Sequence, residues 1–193
     1  MTMEIAKKYL DAQEYLHDQW RLAAAIRGGG WRPDWLVGLW RGGAPAAIAV
    51  HEFLKASGWS VRHVPLKCAS YCGIGHNEGE VVFTLGEEVF GMFGKGEKVL
   101  FVDDIFDTGK TAEALAARMA ASAAEMRLAC VYWKTAKNRT GLKPDFFVRD
   151  VGDDWLVFPH EIDGLEPAEV REKSQLLADL LAMAEVPSGE CRK

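Results

Sequence analysis

The chain has 193 residues, 49% of them hydrophobic and 26% charged, with a formal net charge of −5 at pH 7. That length fits one domain of ordinary size with a real core, and the composition excludes a disordered chain. Net acidity argues against a general nucleic-acid binder, which needs a basic stripe, but it leaves room for a local basic pocket for phosphates.

The four cysteines are Cys68, Cys72, Cys130 and Cys191. The polar, helix-like start from Met1 to Tyr15 has no secretory signal, and no apolar run approaches a membrane span. A cytoplasmic protein with free thiols and no membrane partner is therefore expected. Cys68, Cys72 and His76 recur at helical spacing, which raises the question of zinc. Gly73 and Gly75 oppose a helix there and no fourth ligand is near, so no zinc site is expected.

In chain order, residues 3–27 read as an amphipathic helix marked by Ile5, Leu10, Tyr15, Leu16, Leu22 and Ile26, stopped by Gly28, Gly29 and Gly30. Trp35 to Trp40 (WLVGLW) has the continuous apolar character of a buried parallel strand. The turn Arg41-Gly42-Gly43 follows, then a helix from Ala44 to Ala56 with Pro45 in its first turn. Ser60 to Lys67 reads as a strand, Cys68 to Glu80 as a glycine-containing loop, and Glu80 to Leu85 as a strand. Val99 to Val102 is apolar and β-prone. Thr111 to Ala124 is alanine-rich and helical. Leu128 to Trp133 and Phe146 to Val148 read as strands, residues 166–184 as a last helix, and the tail from Pro187 as loose. Strand, turn and helix recur, which predicts an α/β fold: a mostly parallel twisted sheet flanked by helices.

The strongest chemical signal is Val99 to Thr111, VLFVDDIFDTGKT. An apolar strand runs into two carboxylates, Asp103 and Asp104. The turn Asp107-Thr108-Gly109-Lys110-Thr111 then opens a helix. Unpaired backbone N–H groups at a helix N-terminus carry partial positive charge and suit a phosphate monoester. Gly109 permits close approach, and Thr108 and Thr111 add hydroxyl donors. Ligands of open α/β sheets bind at the carboxyl ends of strands, where this turn falls. Gly109-Lys110-Thr111 also looks like the end of a Walker A motif. That motif needs a glycine where Asp104 stands, and two carboxylates in the loop would repel a triphosphate, so a P-loop hydrolase is rejected.

This segment resembles the phosphoribosyl-pyrophosphate motif of type I phosphoribosyltransferases. The resemblance implies that Asp103 and Asp104 take the ribose hydroxyls and that Asp107 to Thr111 take the 5′-phosphate. Further segments resemble the 6-oxopurine branch, the hypoxanthine, guanine and xanthine enzymes. Arg41-Gly42-Gly43 resembles its pyrophosphate loop, where the peptide before the basic residue is often cis; the matching bond here is Trp40–Arg41. Ser70-Tyr71 resembles the Ser-Tyr pair of the mobile hood, which would span about 66–98. Lys134, followed by Lys143-Pro144-Asp145-Phe146, resembles the lysine that reads purine O6. In Asp154 to Glu161 (DWLVFPHE), Trp155 resembles the aromatic that stacks on the purine, and the Leu156 backbone would meet the base edge.

The purine-reading segment would thus span about 134–163 within a single domain, 1–193. Glu161 or Asp163 would serve a magnesium ion through water, alongside Asp103 and Asp104; His160 stands where related bacterial enzymes often have tryptophan. Asp107 would lie near purine N7 as general base. The N-terminal segment with Trp20, Trp31 and Trp35 matches nothing in the family pattern.

The implied activity is purine salvage. Phosphoribosyl passes from phosphoribosyl pyrophosphate to hypoxanthine, guanine or xanthine, with Mg2+, giving the 5′-monophosphate and pyrophosphate. A homodimer or tetramer is expected. The competing reading is a regulatory protein on the same fold that senses phosphoribosyl pyrophosphate or a nucleotide. A third is a pyrimidine or adenine acceptor, against which Lys134 and Trp155 speak.

Overall fold

The computed structural model describes residues 7–71, 80–85 and 87–184. Cys72, His76, Pro187 and Cys191, discussed above, lie outside them. The described chain forms two compact units, one over Gln13–Asp154, the other from the residues before Gln13 and from Trp155 onward.

The larger unit is the predicted α/β sheet. Its strands are β2 (Trp35–Trp40), β3 (Arg62–Tyr71), β4 (Glu80–Leu85), β5 (Lys98–Phe106), β6 (Glu125–Trp133) and β7 (Phe146–Asp150), in the order β4-β3-β2-β5-β6-β7. All neighbours are parallel except β3 and β4. Helices α1 (Ala12–Gly28), α2 (Gly43–Ala56), the short α3 (Glu87–Phe90) and α4 (Lys110–Met119) belong to this unit.

The apolar run of β2 is buried on both faces, as its composition required. Trp35, Val37 and Leu39 join a core with Phe101, Leu115 and Leu128. On the other face a Cβ at Gly38 would stand 2.7 Å from Ala47 Cβ, so glycine lets α2 close on the sheet there.

Four predicted elements differ in the structure. The N-terminal amphipathic stretch does not form one helix. Lys7–Tyr9 is a strand, β1, and the helix begins at Ala12, because β1 takes its hydrogen bonds from a parallel partner, β8 (Trp155–Val157). The alanine-rich helix ends at Met119, where the Ser122 hydroxyl binds the Met119 carbonyl and turns the chain toward β6. The predicted C-terminal helix is two, α5 (Pro167–Lys173) and α6 (Gln175–Met183). Ser174 is extended and its hydroxyl accepts from Leu177 N–H, capping α6, so a residue inside the helical pattern acts as a start signal. Cys68 to Tyr71, expected in a loop, extends β3 and pairs antiparallel with β4.

The smaller unit is β1, β8, α5 and α6. Lys7 pairs with Glu169 at 2.6 Å, and Lys173 donates to the carbonyls of Phe158, at 2.6 Å, and Glu161. No described helix is long and apolar enough to cross a membrane.

Buried charge locks α1 to the sheet. Asp18, fully buried, accepts from Tyr132 Oη at 2.9 Å and from the guanidinium groups of Arg149 and Arg21. Trp31 and Trp35, which match nothing in the family pattern, brace the N-terminal edge of the strands. Trp31 donates to Glu125 at 2.7 Å and Trp35 to Glu97 at 3.0 Å, with Arg127 and Arg62 stacked on their rings.

Candidate active site

The site begins where parallel strands end. β5 carries Asp103 and Asp104 inside the strand and releases the chain at Phe106. Asp107 and Thr108 form the turn, and Gly109, at φ +86, is the residue before α4. That left-handed conformation favours glycine. Asp107 does not cap the helix: Lys134 holds one of its oxygens and the other has no partner among the described residues, while the Thr108 hydroxyl accepts from Lys110 N–H at 3.5 Å. A cavity of about 270 Å³ opens above the turn, lined by Asp103, Asp107, Thr108, Gly109 and Thr111 and floored by apolar core residues such as Phe101 and Leu115.

The Arg41 turn comes from β2, the direct neighbour of β5, and its glycines lie against the acid-bearing end of β5. The Trp40–Arg41 peptide is cis. A Cβ at Gly42 would fall 2.1 Å from Asp104 Oδ2, and one at Gly43 would fall 2.5 Å from the Val102 carbonyl. Only glycines allow this approach, and Arg41 is exposed.

The acids are electrostatically tense. Burial, then the charge of Asp104 and a hydrogen bond with it, push the Asp103 carboxyl well above the usual carboxylate range. Asp104 N–H donates to Asp103 Oδ1 at 3.0 Å, and Ile105 N–H to Asp104 Oδ1 at 2.7 Å. Burial and Asp103 also push the Cys68 thiol up to about 12, and the Cys130 thiol up, so both are neutral, unreactive neighbours. A pair of crowded carboxylates suits a hard divalent cation that shares its coordination with substrate oxygens and water, as magnesium does. It does not suit an all-protein cage, and among the described residues no cluster of three His, Cys, Asp or Glu could form one.

Asp107 has a partner the turn alone would not supply. Lys134, just past β6, donates from Nζ to Asp107 Oδ2 at 3.1 Å. Asp107 Oδ1 is buried and finds no partner among the described residues. Lys134 is 6% exposed. One carboxylate oxygen is thus held by a buried ammonium and the other is left without a partner among the described residues.

The remaining residues singled out in the sequence fall as follows. Lys110 and Thr111 open α4. Ser70 and Tyr71 end β3 opposite Val81 and Glu80. In the smaller unit, Trp155 starts β8 with its side chain 48% exposed, while Leu156 is buried. Glu161 Oε2 accepts from Phe158 N–H at 2.9 Å, and Glu161 and Asp163 are both exposed. A segment that sequence reasoning passed over, Asn138 to Thr140, packs against Gly109 and ties to Thr108. Its Asn-x-Thr pattern beside a glycine was the signal present, a side-chain-built turn.

A parallel sheet presenting an acid pair and an anion-ready turn at its carboxyl edge is the arrangement of an α/β protein suited to a phosphate-bearing ligand. Residues 6–163 match the model of the phosphoribosyl transferase domain. The chain belongs to that family, and its fold is the type I phosphoribosyltransferase fold. It is similar to a purine phosphoribosyltransferase from Pyrococcus horikoshii, at 27% identity over 83% of this chain and 97% of the other, with a TM-score of 0.64. It is similar in fold to the Helicobacter pylori xanthine-guanine-hypoxanthine phosphoribosyltransferase, at 21% identity over 82% and 96%, with a TM-score of 0.63. A hypothetical protein from Neisseria gonorrhoeae with bound ppGpp is similar at 20% identity over 92% and 98%, with a TM-score of 0.72.

Proposed function

We propose that this chain transfers the phosphoribosyl group of phosphoribosyl pyrophosphate to a 6-oxopurine: hypoxanthine or guanine, with xanthine in the same class. The carrying observation is the Lys134–Asp107 pair at 3.1 Å, set beside the phosphate turn. An ammonium favours a purine O6 and disfavours the amino group of adenine. The unpartnered oxygen of Asp107 suits the base's proton.

In the reaction the bond from ribose C1′ to the pyrophosphate oxygen breaks and a bond from C1′ to the purine nitrogen forms. Positive charge develops on the sugar between them, as in glycoside cleavage. Asp103 and Asp104 fix the ribose hydroxyls and tolerate that charge. Asp107 to Thr111 hold the 5′-phosphate, and the Arg41-Gly42 turn offers backbone donors and a guanidinium to the pyrophosphate. Asp107 removes or shares the proton that leaves the base. Trp155 supplies a stacking face and the Leu156 backbone a base-edge contact. Ser70 and Tyr71 belong to a hood whose closure excludes water from the activated sugar. Magnesium would be held by Asp103, Asp104 and, through water, Glu161 or Asp163; when bound it neutralises charge on the departing pyrophosphate. The whole chain acts as one catalytic domain in a cytoplasmic homodimer or tetramer.

A second reading is a binding protein that senses phosphoribosyl pyrophosphate or a nucleotide. The ppGpp in the Neisseria relative favours it. One assay decides: pyrophosphate release with phosphoribosyl pyrophosphate, magnesium and, singly, hypoxanthine, guanine, xanthine, adenine or orotate. Turnover confined to some of the first three supports the transferase. Binding of phosphoribosyl pyrophosphate without turnover on any base supports the sensor.

A further inference from the structure

We propose that Asn138 is a positioning residue that sets the 5′-phosphate turn, by shaping a loop that orients the Gly109 amide. The proposal rests on the reading of Asp107 to Thr111 as the sugar-phosphate site.

The loop runs from Lys134 to Leu142. It starts with a turn closed by Lys137 N–H to the Lys134 carbonyl at 3.1 Å. Asn138 then organises the rest with its side chain. Its Oδ1 accepts from Thr140 N–H at 3.0 Å and from Thr140 Oγ1 at 3.1 Å, and its Nδ2 donates to the Leu142 carbonyl at 2.8 Å. Thr140 Oγ1 in turn accepts from Leu142 N–H at 3.3 Å. The loop has little regular backbone pairing of its own, so the amide of Asn138 replaces it.

This loop touches the phosphate turn in two ways. Arg139 N–H donates to the Thr108 carbonyl at 2.9 Å. The Thr108 carbonyl and the Gly109 N–H share one rigid peptide plane, and in a trans peptide they point in opposite directions. Holding the carbonyl on the loop side therefore aims the Gly109 N–H away from the loop, and amides of this kind are what bind a phosphate. The second contact is steric. A Cβ at Gly109 would stand 2.2 Å from Thr140 Oγ1 and 2.9 Å from Asn138 Oδ1, so the loop lies directly against the glycine. Because Lys134 begins the same loop, one segment carries both the base-reading ammonium and the support of the phosphate turn.

The test is calorimetric binding of two ligands, magnesium phosphoribosyl pyrophosphate and magnesium pyrophosphate, to the full chain and to Asn138→Ala, Thr140→Val and Thr140→Ser. Asn138→Ala and Thr140→Val should weaken phosphoribosyl pyrophosphate about tenfold, while pyrophosphate, bound at the Arg41 turn, changes less than about twofold. Thr140→Ser keeps the hydroxyl and should bind like the parent. Asn138→Ala binding phosphoribosyl pyrophosphate as the parent does would overturn the proposal. So would equal weakening of both ligands, which marks general loss of structure. No base enters this assay. A parent that binds phosphoribosyl pyrophosphate yet turns over no 6-oxopurine defeats the transferase reading and leaves the comparison of variants intact. Turnover with an unaffected Asn138→Ala does the reverse.

Discussion

Lys134 and Asp107 are 27 residues apart in sequence and 3.1 Å apart in space, joined because β5 and β6 are parallel neighbours that end at the same edge. The pair puts a buried cation and a half-satisfied carboxylate beside the turn that opens α4. Its chemistry can be tested one group at a time.

Asp107→Asn keeps the shape and removes the base. Turnover should fall by about 10²-fold or more, with little change in the Michaelis constant for phosphoribosyl pyrophosphate. Steady-state kinetics with both substrates varied checks this. Unchanged turnover would take Asp107 out of the general-base role.

Lys134→Gln removes the charge that favours an oxo group. The kcat/KM for 6-oxopurines should drop by about 10- to 100-fold, with a smaller loss for adenine analogues, so discrimination narrows. A fall of the same size on every base would mean that Lys134 acts only by holding Asp107.

Trp155→Ala tests base stacking, which is worth about 1–3 kcal/mol per base. The Michaelis constant for the purine should rise about tenfold, more than that for phosphoribosyl pyrophosphate. Equal rises would deny Trp155 a place at the base.

Gly42→Ala would drive a methyl to 2.1 Å from the Asp104 carboxylate. The acid must turn away from its position under the turn, so affinity for phosphoribosyl pyrophosphate should collapse while thermal stability shifts by only a few degrees. Binding calorimetry and a thermal melt together check it. Intact affinity would show that the turn and β5 part without cost to the site.

Glu97 offers a test of the far edge of the sheet. The guanidinium of Arg62, then Gly94 N–H and Trp35 Nε1–H, hold its carboxyl down at about 2, from an ordinary value of 4.5. A depressed carboxylate stabilises the fold above its unfolded value and loses that contribution as pH falls toward its folded value. Glu97→Gln should therefore melt below the parent at pH 5 and above, and the gap should close between pH 4.5 and 2. Activity should survive, since Glu97 lies at the opposite end of the strands from the turn. A gap that persists at pH 2 would assign the effect to packing.

The chemical core was legible because it is local. Asp103 to Thr111 is one continuous strand, turn and helix start, and the periodic patterns of β2 and α2 place Arg41 at a strand end. Burial on both faces needs only a continuous apolar run, so the parallel sheet followed from WLVGLW and its kin. What was not legible depends on pairing between distant segments. The pairing of Lys7–Tyr9 with Trp155–Val157 cannot be read from either stretch, and without it the first residues look helical. Trp31 and Trp35 look like spare aromatics until Glu125 and Glu97 arrive from other strands. Ser174 reads as one more helical residue until its hydroxyl is seen to cap α6.

By itself the sequence determined the fold class, the acid pair at the end of β5, the turn that opens α4 and the family, because each is written in neighbouring residues whose spacing sets their geometry. The tertiary structure alone decided that Lys134 holds Asp107, that Gly42 lies against Asp104, and that the Asn138 loop lies against Gly109. Those contacts join segments that only the order of strands in the sheet brings together, and strand order is set by the packing of the whole core rather than by any local pattern.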